Sequence, residues 1–373
     1  MPDNHIGERL RLVRERSKLG QDRMAQILGL KERQSVSAIE RGLRKVSADE
    51  LVRVIDNFDV SLDWLTNPFL LVGKGETFSW RQTGVESAVL DAFELQAGEW
   101  VGAYRELNRQ NGTSLQALLP RLGLSHTSSL DEAVGAGEAV GEELGLGDPP
   151  ALKLAEALEE HLGVLVLMID APQGISGSAC RLSQLNAILI NRHERPGRRN
   201  TDLAHELFHI LTWSEMRPAR VESSVASWEA PRTNADKRNR DIERLADNFA
   251  AGLLMPRTVL DGLGRPHGDL VTWLIAAADL LAVSSRTLKW RLVNSKRAPE
   301  LERVTDEDLR AAYRDRANTD LPPLFSKPFI QTIGRAIDQG NLSIGRAAKL
   351  LDTPKDELGG LFDSHAVSRP DEL

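Results

Sequence analysis

The sequence predicts a multidomain, mainly α chain in three parts: an N-terminal helix-turn-helix bundle, an α+β core with a small sheet, and a helical C-terminal domain. Three observations predict it. Apolar residues recur at helical spacing through most of the chain. Strand-length apolar runs cluster in one stretch, Val164–Ile169 followed by 176–182 and Asn186–Asn191, with one further short candidate at 76–81. At roughly 100–200 residues per domain, 373 residues call for more than one domain. Boundaries are expected at 1–68, 69–147, 148–262 and 263–373.

In order along the chain, four short apolar faces mark the first bundle: Leu10 with Val13; Met24, Ala25 and Leu28; Val36 with Ile39; and Leu51, Val54 and Ile55. Gly20, Gly29 and Gly42 fall between or at the ends of these faces, where turns and helix C-caps want glycine. Residues 69–147 form a mostly helical connecting region, with a helix over 90–107 and a Gly-, Ala- and Glu-rich stretch over 133–147 that reads as helix or flexible connector. After Asp148-Pro149-Pro150 the order is a helix over 151–162, the strands, a helix over 201–213, a polar loop over 214–236 and a helix over 238–254. The remainder is helical. Two pieces, 276–292 and 343–361, have the form helix, polar turn, helix.

Composition bounds the function. The chain is 41% hydrophobic and 27% charged, ordinary for a soluble protein, so long disorder is not expected. No run of about 18 apolar residues predicts a membrane span, and the opening MPDNHIGERLRLVRERS lacks the apolar core of a signal peptide, so a cytoplasmic location is expected. Cys180 is the only cysteine, which excludes an internal disulfide, a Cys-rich zinc site and an iron–sulfur cluster; in a predicted strand it reads as a small core residue. The net charge of −7 is unevenly spread. Between Arg9 and Lys45 eleven Lys and Arg face four Asp and Glu, a local +7 that leaves −14 on the rest. A basic segment on an acidic body points to a local nucleic-acid surface.

The strongest chemical signal is His205-Glu206-Leu207-Phe208-His209. Histidines four apart share one helix face, so both imidazoles can reach one ion, and zinc is the expected metal. A glutamate directly after the first histidine projects toward the same open side, where it can take a proton from an attacking water. Leu203, Ala204, Leu207, Phe208, Ile210 and Leu211 make the helix apolar nearly all round, hence buried, and buried histidines need partners. The other six histidines show no paired spacing and read as surface or packed residues; His193, close before this helix, is the one of interest.

The chain here resembles the ImmA/IrrE-type metallopeptidases, often fused to a Cro/repressor-like helix-turn-helix. The resemblance rests on HELFH at 205–209, E-x-x-A-D-N-F-A at 243–250 and L-L-M-P at 253–256, in the family's order and approximate separation. It covers roughly 150–260, with 6–65 resembling the fused DNA-binding domain. It implies a zincin-like peptidase core with Glu243 as third metal ligand beside His205 and His209, and Glu206 as catalytic base. Phe208 departs from the family, where glycine is common; it adds bulk beside the metal helix, which is expected to narrow the cleft without removing a ligand. Spacing agrees with the ligand assignment: Glu243 and Asp247 are four apart on one helix face, and Ala246 allows close approach. Glutamate has the longer reach for ligation, while Asp247 suits the free N–H of a ligating histidine; the E-x-x-x-D pattern is similar to that of thermolysin-like zinc peptidases.

In the N-terminal segment, QDRMAQILGL and RQSVSAIERG resemble the Cro/repressor-like motif. Gln21–Leu28 is the expected first helix and Arg33–Glu40 the recognition helix, presenting Arg33, Gln34, Ser35 and Ser37 to the major groove. Gln21, Arg41, Arg44 and Lys45 are phosphate candidates. One such domain reads a half-site, so a homodimer is expected. The resulting expectation is a zinc endopeptidase and DNA-binding regulator that cleaves a protein such as a helix-turn-helix repressor, as in a stress response. Its rivals are a metal-containing regulator that senses without cleaving and an antitoxin-like binding protein. Glu206 favours cleavage, since a sensor or dock has no need of it.

Overall fold

The computed structural model describes the chain except for residues 1–4, 72–76, 116, 223–232, 315, 317–320 and 372. Glu76, part of the predicted first strand, and much of the predicted 214–236 loop lie outside the described residues. Contacts divide the chain into two units, residues 1–75 with 94–106, and 76–93 with 107–373.

In the first unit the apolar faces become α1 (His5–Arg16), α2 (Gln21–Leu28), α3 (Arg33–Glu40), α4 (Ala48–Asn57) and α5 (Leu62–Thr66). Leu10, Val13, Met24, Ala25, Leu28, Val36, Ile39, Val54 and Leu65 form their shared core. Gly29 ends α2 with φ 69°, a left-handed conformation that lets its N–H reach back to the last turn. Ser47 and Glu50 close α4 with a reciprocal capping box.

The second unit is built on a four-stranded sheet of β1 (Phe78–Gln82), β2 (Val164–Ile169), β3 (Ile175–Arg181) and β4 (Asn186–Asn191), in the order β1-β3-β4-β2. β3 pairs antiparallel with both β1 and β4, and β2 pairs parallel with β4. Cys180 is fully buried within β3. Between β1 and β2 come α6 (Ser87–Gln110), whose middle belongs to the first unit, α7 (Leu130–Glu143), a 3-10 turn at Pro150–Leu152, and α8 (Leu154–Leu162).

After the sheet come α9 (Pro196–Thr212) and α10 (Asn234–Leu254). Both start earlier than the apolar pattern predicts. α9 opens with Pro196 at its first turn, where a missing N–H costs nothing, and its polar start is held by Arg199 bonding to the carbonyls of Arg192 and Glu194. α10 opens with a Thr233–Asp236 capping box. α9 packs on β3 and β4 and also against α10. The Gly- and Ala-rich stretch is helix α7, and its composition serves packing: a Cβ on Gly137 would lie 2.2 Å from Phe249 O, and one on Gly252 2.2 Å from Val134 O. Only glycine permits this approach of α7 to α10.

The remaining elements are α11 (Arg257–Gly262), α12 (Leu270–Leu280), α13 (Ser285–Asn294), a 3-10 turn at Pro299–Arg303, α14 (Asp306–Tyr313), α15 (Lys327–Asp338), α16 (Ile344–Leu351) and α17 (Leu358–Ser364). The two expected helix–turn–helix pieces are α12 with α13, bent by 105°, and α16 with α17. No single helix among the described residues is long and apolar enough to cross a membrane.

Candidate metal centre and nucleic-acid interface

The packing of α9 between sheet and α10 buries every side chain from Thr201 to Thr212. His205 is 1% exposed, and Glu206 and His209 are fully buried. The face of α9 that carries the histidines meets α10. His205 Nε2 lies 3.1 Å from His209 Nε2 and 3.1 Å from Glu243 Oε2, and His209 Nε2 is 3.7 Å from the same oxygen. Asp247, one turn on from Glu243, places Oδ1 2.8 Å from His205 Nδ1. The structure therefore brings His205, His209, Glu243 and Asp247 together, with Glu206 beside them.

Two further residues join the site that sequence reasoning does not single out. Glu222 is buried, with Oε2 3.4 Å from His205 Nε2 and Oε1 3.7 Å from His209 Nε2. The donor atoms of His205, His209, Glu222 and Glu243 all lie within 4.8 Å of one another. Arg81, on β1, contacts Asp202 at 3.2 Å, Asp247 at 3.4 Å and Glu222 at 3.7 Å. A lone glutamate in an irregular polar stretch and a lone arginine in a short strand carry no periodicity or spacing that could flag them; only the pairing of distant segments does.

The electrostatics follow from burial among charges. For Arg81 burial disfavours the cation, but Asp202, Asp247 and Glu222 outweigh it and hold the guanidinium charged. For His205 burial and the Arg81 charge push downward, yet the carboxylates of Asp247, Glu222 and Glu243 raise its pKa well above the usual value. Burial, reinforced by the Glu222 charge, holds Glu206 well above the usual carboxylate range. Against burial, the two histidines keep Glu243 far below it, and His205 with Arg81 keep Asp247 lowered.

A cation suits this donor set. Two imidazole nitrogens facing each other at 3.1 Å, ringed by carboxylate oxygens, are electron-pair donors collected at one point. Around a tetrahedral zinc with donors at about 2.0–2.2 Å, neighbouring donors stand about 3.3–3.6 Å apart; the histidine nitrogens stand 3.1 Å from each other and 3.1–3.7 Å from the nearest oxygens of Glu222 and Glu243. Both Glu206 oxygens are buried without a hydrogen-bond partner among the described residues, which suits a group that receives a proton. Glu222, Glu243, Asp247 and Arg81 line a cleft of about 2330 Å³, whose lining also includes Trp290 and Tyr313.

Phe208 does not narrow that cleft. It is fully buried and packs on Phe249, with ring centroids 5.6 Å apart, so its bulk is absorbed by the core. His193 is no part of the centre: it is more than half exposed and pairs with Asp170 at 2.6 Å.

In the first unit α3 turns Val36 and Ile39 into the core and leaves Arg33 and Gln34 exposed, with Ser35 and Ser37 half-buried. Arg41 and Lys45 are exposed beyond it. Gln21 and Arg44 are engaged within the unit: Gln21 Nε2 donates to Glu40 at 2.9 Å, and Arg44 makes two bonds to Glu50, at 2.6 and 3.0 Å. Glu40 also binds Arg14 at 2.6 Å, which ties α1, α2 and α3 at one point.

The family comparisons agree with both halves of this picture. Residues 159–293 match the peptidase family described as the IrrE N-terminal-like domain, and residues 10–65 match the helix-turn-helix family. No curated protein and no solved structure matches the chain.

Proposed function

We propose that this fusion of a helix-turn-helix domain with an IrrE N-terminal-like domain is a DNA-binding regulator and a zinc-dependent endopeptidase. The observation that carries the reading is the buried His205, His209 and Glu243 donor set with Glu206 beside it. His205, His209 and Glu243 would hold the metal, and zinc, when bound, supplies a Lewis acid for the scissile carbonyl and for the attacking water.

The chain's own residues do the rest. Asp247 accepts the Nδ1–H of His205, which fixes the tautomer and leaves the Nε2 lone pair for the donor cluster. Arg81 holds Asp247 and Asp202 in place. Glu206 accepts the proton of the water that adds to the carbonyl carbon. It then passes that proton to the amine nitrogen as the C–N bond breaks. A base works best with a pKa near the operating pH, and burial lifts Glu206 in that direction. The substrate in this reading is a protein such as a helix-turn-helix repressor, whose cleavage would derepress genes.

The test is co-expression of the chain with candidate repressor proteins. Glu206→Gln spares every metal donor and removes the base, so it should keep one metal per chain while the cleavage product disappears. Undiminished cleavage by that variant would sink the peptidase mechanism.

A further inference from the structure

Glu222 comes from a stretch that lies along the outer edge of β1. Ser79 Oγ donates to Ala219 O at 2.8 Å, and Trp80 N–H donates to Arg220 O at 2.8 Å. Glu222 N–H donates back to Trp80 O at 3.0 Å, in a parallel bridge of Trp80 with Val221. Arg220 also pairs with Asp91. The alternation of an extended chain then turns Val221 to the surface, 36% exposed, and Glu222 inward, 7% exposed.

We propose that residues 219–222 are a strap that closes the metal centre at rest. Glu222 supplies a fourth protein donor, and the strap's backbone holds the sheet edge on which an extended substrate peptide would lie. The inference rests on the metal-centre reading given above and goes beyond it.

Three observations carry it. Glu222 approaches the histidines about as closely as Glu243 does: its Oε2 stands 3.4 Å from His205 and its Oε1 3.7 Å from His209, while the single Oε2 of Glu243 faces both at 3.1 and 3.7 Å. Neither Glu222 oxygen makes a hydrogen bond among the described residues, although both are buried; Arg81, at 3.7 Å, balances the charge without a hydrogen bond and leaves the oxygen lone pairs open toward the histidines. The histidines are sealed from the cleft, whereas Glu222 and Glu243 line it.

Four protein donors make a closed centre, while three and an open position make a catalytic one. Glu206 belongs to the second kind, and departure of Glu222 converts the first into the second. The same departure frees the N–H and C=O of Trp80, the groups through which an added peptide strand is held. The strap and an extended substrate thus compete for one edge and one coordination position.

The full chain, stripped of metal and loaded with one Co²⁺, tests this through the visible absorption of cobalt, with azide as the probe. In the unmodified protein azide should leave the spectrum unchanged. Glu222→Gln, and Glu222→Ala should the amide oxygen still ligate, should hold cobalt at least about tenfold more weakly and shift the spectrum when azide is added. The strap is overturned if the unmodified protein takes up azide as readily as the variants, or if both variants hold cobalt as tightly as it does. Failure of all three proteins to bind cobalt would instead sink the metal centre itself.

Discussion

His205 touches the site through both of its ring nitrogens: Nδ1 meets Asp247 and Nε2 faces His209, Glu243 and Glu222. In the proposed metal centre the two α10 carboxylates therefore have different work. Glu243 is 3% exposed and sits at the donor point; the Asp247 side chain is 41% exposed and acts through the imidazole. Asp247→Ala should weaken metal binding by about 10–100-fold, the usual cost of losing the partner that orients a ligating histidine. Glu243→Ala removes a donor and should cost more. Titration of the variants against a competing chelator gives the ranking, and a reversed order would mean that the two roles are exchanged.

At the scale of elements, α4 shows how a cap couples stability to pH. Burial favours neutral Glu50, but the hydrogen bonds from Arg44 and Ser47 outweigh it and hold the carboxyl below its ordinary value. A lowered folded-state pKa contributes stability that is present above the unfolded value and lost as pH falls through the folded one. The first unit should therefore lose stability on acidification below about pH 4.5. Glu50→Gln should cost about 1 kcal/mol at neutral pH and flatten that acid loss. Urea midpoints of both chains at neutral and acid pH check the sign; an equal acid loss in the variant would show that Glu50 is not the group responsible.

The whole molecule pairs a basic N-terminal segment with an acidic remainder. With Arg33 and Gln34 exposed on α3, DNA affinity of the full chain should fall steeply with salt, by about a thousandfold between roughly 50 and 200 mM if about six phosphates are neutralised. Arg33→Ala combined with Gln34→Ala should cost about 1–3 kcal/mol of discrimination per lost base contact while sparing most non-specific affinity. A binding assay on specific and random duplexes measures both; absence of binding at low salt would favour a protein-docking role for this domain.

What the sequence by itself determined is what local periodicity encodes. The short helices of the first unit, the strands at 164–169 and 186–191, and two histidines one helical turn apart are properties of neighbours in the chain, so spacing alone shows them. Glu243 was pointed to by the family resemblance, and spacing added only that Asp247 shares its helix face. The polar first turn of α9 was not, because capping and tertiary bonds to Arg199 hold it rather than an apolar stripe. The role of Gly137 and Gly252 depends on a second helix, whose carbonyls leave no room for a Cβ. Above all, only the tertiary structure decided that Arg81 clamps the carboxylates and that Glu222 stands among the donors. Strand edges recruit partners through backbone groups that every residue carries, so the pairing that turns Glu222 inward leaves no mark on the order of side chains.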